Sequence, residues 1–193
     1  METRIMDGIK GMSDRLLLEK YVARRNSNAF AVFMDRHEAA VLSFASSFLR
    51  DDLPAQDVVQ EVFLRVAQNP QRVPTDHDTA ARNWLLRIAH NLCVDEIRRR
   101  STTRKISVGL RETLSQTVPA AETQLEAEEK RAQVLAAVNR LPERQRELVL
   151  LKISEKKSYK EIAAITGLTV TNVGFQLHQA MKTLAGELKE VVS

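Results

Sequence analysis

The stretch that most constrains this chain runs from Tyr159 to Val173, YKEIAAITGLTVTNV. Its spacings read as two short helices joined by a tight turn. Ala163 is small where two helices must cross closely. Gly167, four residues on, can enter the positive-φ conformation that ends a helix sharply and that other residues reach only at a steric cost. Val173, six residues further, is apolar where the second helix must pack back on the first. Thr169 is placed to cap that second helix with its hydroxyl. An ordinary helical hairpin would need only the glycine. The coincidence points to a helix-turn-helix, whose second helix enters the DNA major groove.

That second helix is expected to begin near Val170. With Val173 and Leu177 turned inward, Thr171, Asn172, Phe175, Gln176 and Gln179 are expected on its outer side. Asn and Gln can pair bidentately with adenine, and Phe can touch a thymine methyl.

The remaining composition favours an all-α protein, because Leu, Ala, Glu, Arg and Gln abound while the 193 residues include only 6 Gly and 5 Pro. A net charge of +4 permits nucleic-acid binding without requiring it. The distribution of charge says more. Residues 51–61 hold Asp51, Asp52, Asp57 and Glu61 with no Lys or Arg. Residues 82–105 hold Arg82, Arg87, Arg98, Arg99, Arg100, Arg104 and Lys105 against only Asp95 and Glu96. An acidic and a basic surface this close in sequence suggest two different partners.

Periodicity and punctuation divide the chain further. Residues 1–12, with two glycines and weak periodicity, read as a loose tail. Ser13 can cap a helix over 14–25 with Leu17, Leu18, Tyr21 and Val22 on one face. A longer helix over about 28–50 places Phe30, Phe33, Met34, His37, Val41, Phe44, Ala45 and Phe48 at helical spacing. Pro54 suits the first turn of a third helix, which carries Val58, Val59, Val62, Phe63 and Val66 inward and ends before Asn69-Pro70. After a loop over 69–79, a fourth helix over about 80–100 turns Trp84, Leu85, Ile88, Ala89 and Leu92 inward and ends in the arginine run. Such a run at a helix C-terminus would also complement the helix dipole.

Residues 102–125 are rich in Ser and Thr and lack an apolar stripe, as a flexible linker would. A second helical block follows over 126–192. Val134, Leu135, Val138 and Leu141 share a face, Leu141-Pro142-Glu143 starts a helix to about Ile153, and the last helix is marked by Val173, Leu177, Ala180, Leu184 and Leu188. The expected architecture is two helical domains, 14–101 and 126–192, on a tether.

Several chemistries have no support in the residues. Cys93 is the sole cysteine, so no internal disulfide can form, and a buried apolar thiol is its expected role. His37, His77, His90 and His178 are scattered without metal-ligand spacing, and no Gly-rich phosphate loop is present. No metal, cofactor, small-molecule substrate or catalytic residue is expected. No apolar run suggests membrane insertion, so a cytoplasmic protein is expected.

Two blocks of the sequence resemble bacterial sigma factors of the sigma-70 family, extracytoplasmic-function group. The first, similar to region 2, comprises AQDVVQEVFLR over 55–65, WLLRIAHN over 84–91 and DEIRRR over 95–100. The second, similar to region 4, begins LPERQRE at 141–147, runs into the helix-turn-helix and ends LHQA at 177–180. The resemblance implies a promoter-specificity subunit with core RNA polymerase and promoter DNA as partners, an anti-sigma factor as regulator, and no enzyme activity of its own. Asp57, Gln60 and Glu61, on one side of the third helix by their spacing, would dock on a basic helical clamp of the polymerase. Asn91, Asp95, Arg98, Arg99 and Arg100, with the loop before their helix, would engage the minus-10 element, and the recognition helix the minus-35 element. The linker would thread along the active-site channel.

The chain also departs from the family pattern. Gly174, Gln176 and Gln179 stand where basic residues are usual, Gln56 replaces a Glu, Ala67 a Trp and Ala81 a Phe. Two alternatives stay open on the residues alone. A sigma mimic would bind an anti-sigma factor without touching DNA, which the near-neutral recognition helix allows and the arginine run opposes. A stand-alone helix-turn-helix repressor would have no use for an acidic third helix in a separate domain.

Overall fold

The computed structural model describes residues 9–106, 133, 134 and 136–192, which fall into two compact units considered one at a time. Every regular element among the described residues is helical. Most of the expected linker and the first turns expected near Glu126 lie outside the described residues, as do residues 1–8 and the side chains of Leu135 and Leu188.

In the N-terminal unit, three helices follow one another through minimal connections. They are α1 (Asp14–Arg24), α2 (Ser27–Leu49) and α3 (Asp52–Gln68). Each starts on a side chain that accepts a hydrogen bond from a first-turn amide: Ser13 from Leu16 N, Asn26 from Ala29 N and Asp51 from Leu53 N. The residue preceding Asn26 and the one preceding Asp51 are C-caps, Arg25 and Arg50, in the left-handed conformation with φ of 49° and 57°. Each connection is thus one residue closing a helix and one opening the next. A cation at each end also meets the negative pole of the helix dipole.

The core forms where α2 packs on α1 and on α3. Phe33, Val41, Phe44, Ala45 and Phe48 from α2 are buried, as are Val58, Val59, Val62, Phe63 and Val66 from α3. Phe30 and Met34 are half-buried at the edge, and Val22 of α1 faces solvent rather than sharing the Leu17–Leu18 face. Pro54 is the third residue of α3, where its missing amide has no intrahelical acceptor to lose. A 3₁₀ turn, Pro70–Arg72, follows α3.

Residues 9–12 are not the loose tail that weak periodicity suggests. Ile9 is buried, Met12 N donates to Ile9 O, and the Arg36 guanidinium donates to the carbonyls of Lys10 (3.0 Å) and Met12 (2.7 Å). The same guanidinium meets Asp14, whose other oxygen lies 2.8 Å from Nε2 of buried His37. Burial alone would raise the Asp14 carboxyl pKa. The hydrogen bond and charge of His37, and then those of Arg36, outweigh it and hold the carboxyl below its ordinary value.

The fourth helix, α4 (Ala80–Ile106), runs about two turns past the expected end and into the stretch read as linker. Its buried face is also rotated. Ala81, Leu85, Leu86, Ala89, His90 and Cys93 are buried, whereas Trp84, Ile88 and Leu92 are only half-buried. Trp84 is therefore not a core residue. Small side chains at Ala81 and Ala89 line the inward face, and Phe48 meets His90 edge-on at 6.2 Å.

In the C-terminal unit, a helical segment at 136–140 buries Ala137 and Val138 and leads to buried Leu141, while Val134 is exposed instead of joining that face. Three helices follow: α5 (Glu143–Ile153), α6 (Tyr159–Thr166) and α7 (Val170–Val192). Pro142 caps α5 from just outside rather than sitting in its first turn. α5 packs against α7, and Leu148, Leu151, Ile162, Val173, Leu177, Ala180 and Leu184 are buried.

Candidate nucleic-acid interface

The helix-turn-helix forms as its sequence requires. Gly167 adopts φ +73°, and Thr169 Oγ1 accepts from Asn172 N at 3.2 Å to start α7. A capping box that the sequence reading missed, Ser158-x-x-Glu161, starts α6. Ser158 N donates to Glu161 Oε2 at 2.8 Å, and Glu161 N donates back to Ser158 Oγ at 3.3 Å. Each helix thus has a first-turn amide satisfied by its own capping side chain, which helps fix where it begins.

Ala163 is partly exposed, and Gly174 faces the ring of Tyr159 at ordinary contact distance. A Cβ at Gly174 would lie 3.6 Å from Cε2 of Tyr159, and the Lys152 ammonium stands 5.3 Å from the centre of the same ring.

The buried residues of α7 orient its outer side. Successive helix positions turn by about 100°, so the direction opposite Val173, Leu177, Ala180 and Leu184 belongs to Phe175. Phe175 is 59% exposed, with Thr171, Asn172, His178 and Lys182 exposed around it. Gln176 and Gln179 are half-buried rather than fully exposed. Gln176 sits on the flank because helix geometry puts it only about 70° from the centre of the buried face. Were this side to read bases, Phe175→Ala would relax preference at one base pair at a cost of about 1–3 kcal/mol, with Gln176→Ala doing less. Selection from a DNA library with both variants measures this directly.

On α4, the rotated face gathers residues the sequence reading had kept apart. Trp84, Ile88, Asn91, Asp95 and Arg98 recur at i, i+4, i+7, i+11 and i+14, one stripe along the helix, with exposed Arg87 beside it. Asn91 and Asp95 are exposed, and Nδ1 of His90 lies 3.1 Å from Asn91 Oδ1. Arg98, Arg99 and Arg100 are exposed but fan around the helix at about 100° intervals, so only Arg98 shares this stripe. None of the three lies in the last turn, because α4 continues to Ile106. Dipole complementation thus does not account for them. Beside the start of α4, the loop residues Thr75–Thr79 line a cavity of about 470 Å³ together with Arg36, His37 and Arg82.

On α3, Asp57 and Gln60 are exposed on one stripe. Glu61 is half-buried and pairs with Arg65 at 2.7 Å, so part of its charge is answered within the helix. Among the described residues, no group of three or more His, Cys, Asp or Glu could hold a metal ion, and no helix is long and apolar enough to cross a membrane.

A helical unit that exposes Asp57 and Gln60 on α3 and Arg87 and Arg98 on α4, together with a second unit carrying a helix-turn-helix, has the make-up of a two-part DNA-binding protein. Comparison with known proteins makes this specific. The Sigma-70 region 2 model matches residues 33–103, and the Sigma-70, region 4 model matches residues 131–184. The chain is 29% identical over 157 residues to the ECF RNA polymerase sigma factor SigL of Mycobacterium tuberculosis, covering 81% of this chain and 87% of the relative. It is 26% identical over 169 residues to the ECF RNA polymerase sigma factor SigK of Mycolicibacterium vanbaalenii, covering 86% and 85%. Its fold is similar to that of the sigma factor RpoE from Bartonella quintana, solved in complex with the anti-sigma factor NepR, with a TM-score of 0.65 at 24% identity over 78% of this chain and 91% of that one. The chain belongs to the sigma-70 family of RNA polymerase sigma factors, in its extracytoplasmic-function group.

Proposed function

We propose that this chain directs core RNA polymerase to promoters, with region 2 engaging the polymerase and the minus-10 element and the helix-turn-helix engaging the minus-35 element. The observation that carries this is the presence of region 2 and region 4 matches in one chain, in that order. Exposed Asp57 and Gln60 on α3 and exposed Arg87 and Arg98 on α4 support a division of labour inside region 2. Asp57 and Gln60 meet the polymerase, with Glu61 in a lesser role because Arg65 already pairs with it. Asn91, Asp95 and Arg98 meet DNA, and Trp84 offers an aromatic face on which an unstacked base can rest. The loop cavity beside α4 is the pocket for a base drawn out of the duplex.

On α7, Phe175 leads the contact, flanked by Thr171 and Asn172, with Gln176 and Gln179 at the margin. The protein works in the cytoplasm as a non-enzymatic subunit, and an anti-sigma factor holds it inactive. Residues 14–101 and 126–192 are its working domains, joined by 102–125, whose first residues continue α4 as far as Ile106.

Reconstitution with core polymerase tests this reading. The chain is expected to compete for core and start transcripts at a selected promoter. Failure to bind core would leave a stand-alone DNA binder, and binding an anti-sigma factor without DNA would leave a mimic. Within the same assay, neutralising Arg87 and Arg98 is expected to lower the log–log salt slope of promoter binding by roughly one unit per lost phosphate contact. Arg100→Ala, on the far side of α4, is expected to change it less.

A further inference from the structure

Thr171, Phe175, His178 and Lys182 follow one another at spacings of 4, 3 and 4 residues, so they form one exposed stripe along α7. Of the four, only Phe175 is large and apolar, and it stands opposite the buried face with 59% of its surface exposed. The other large apolar side chains exposed on α7, Val170 and Met181, lie on a flank, where Met181 shares a groove with Tyr159 and Ile153. A lone exposed phenylalanine is ordinary on a protein surface. One in the middle of the side that a helix-turn-helix turns toward bases has to meet whatever the major groove presents there.

We infer that Phe175 senses the C5-methyl group of a pyrimidine in the minus-35 element, so that 5-methylcytosine substitutes for thymine there and cytosine methylation becomes a mark the protein responds to. This rests on the proposed function and adds the chemistry of one base contact, together with a form of regulation. In the major groove adenine, guanine and cytosine offer only hydrogen-bond donors and acceptors, whereas thymine adds a carbon group. A phenyl ring carries no hydroxyl or amide with which to answer a donor or acceptor. Laid on a polar base edge, it would strip water from that edge and return nothing. Laid on a methyl group, it removes two apolar surfaces from water at once. Discrimination therefore works in both directions, for the methyl group and against its absence. Methylation of cytosine at C5 places the same carbon at the same point of the groove and leaves base pairing intact.

The test begins with the full chain on core polymerase selecting its minus-35 element from a duplex library. Each thymine of the selected element is then replaced in turn by deoxyuridine, which deletes only the methyl group. At one position wild type is expected to bind about fourfold more weakly, the factor that one carbon lost from an apolar contact is worth. Phe175→Ala is expected to show no difference there. Ala exceeds Phe in helix propensity, and far-UV circular dichroism confirms that the variant folds. With cytosine placed at the sensitive position, C5-methylation is expected to strengthen wild-type binding about fourfold and to leave the variant unchanged. A selected element without any deoxyuridine effect would overturn the inference while leaving the minus-35 reading intact. An effect that persists in Phe175→Ala would assign the methyl group to another side chain and overturn it as well, as would 5-methylcytosine binding no better than cytosine. If wild type selects no element, both readings fall together.

Discussion

Replacing Asp57 and Gln60 together with lysine is expected to abolish effective competition for core polymerase while leaving helical content and melting nearly unchanged. Both side chains are exposed on α3, where substitutions usually change stability by no more than about 0.5 kcal/mol. Against a basic clamp the double variant loses one attraction and adds two repulsions at the centre of the contact. Like charges brought together across an interface cost several kcal/mol, so affinity should fall at least about a hundredfold. Glu61→Lys alone should do less to the interface, because Arg65 already holds that carboxylate at 2.7 Å. A double variant that competes as well as wild type would mean that the docking face lies elsewhere.

Asp14→Ala is expected to destabilise the fold of the N-terminal unit strongly for a polar substitution. Its carboxylate side chain is only 13% exposed and answers His37 on one oxygen and Arg36 on the other. Removing it leaves those groups facing a site with no anion, a loss of about 2–3 kcal/mol. The acid dependence carries a second signature. The carboxyl pKa is lowered in the folded chain, so the pair stabilises fully above the ordinary aspartate value near 3.9 and loses its contribution as pH falls through the lower folded value. Wild type and variant should therefore differ most at neutral pH and converge in acid. Urea titrations at pH 7 and in the acid limb measure both, and an equal gap at every pH would exclude the Asp14 charge as the cause.

The contrast between what was legible and what was not has a physical origin. Helices whose apolar residues are confined to one narrow stripe were placed nearly residue by residue. Val58, Val59, Val62, Phe63 and Val66 all lie inside, between an aspartate cap and Asn69-Pro70. The helix-turn-helix was equally clear, because Gly167 and Thr169 act through local backbone geometry that needs no tertiary context. α4 misled because its apolar residues cover more than half its circumference. Trp84, Ile88 and Leu92 had as good a claim on the core as Ala81 and Cys93, and the side that is buried is the one carrying the small residues and His90, whose ring meets Phe48 of α2. The misplacement of Trp84 then hid its alignment with Asn91, Asp95 and Arg98.

Long-range contacts were invisible for a related reason. Nothing in the local pattern of residues 9–12 announces that Arg36, more than twenty positions away, holds two of their carbonyls. The recognition helix was read correctly in its buried face and less well on its flank, since exposure there depends on neighbours that periodicity does not describe. The two family matches corroborate the reading from outside the residues. The assignment of individual contacts to polymerase or DNA still rests on the stripes themselves.

The burial of Cys93 gives the molecule a built-in clock. It is the sole thiol of the sequence and has no exposed surface on the inward side of α4. A water-soluble alkylating reagent can reach it only when that helix lifts or the bundle opens, so the labelling rate in excess reagent reports the opening of the N-terminal unit alone. The C-terminal unit contributes no signal. Followed with and without a bound regulator or polymerase, that one sulfur atom would register how tightly each partner holds region 2 closed, with no engineered probe and no disturbance of the surfaces that do the binding.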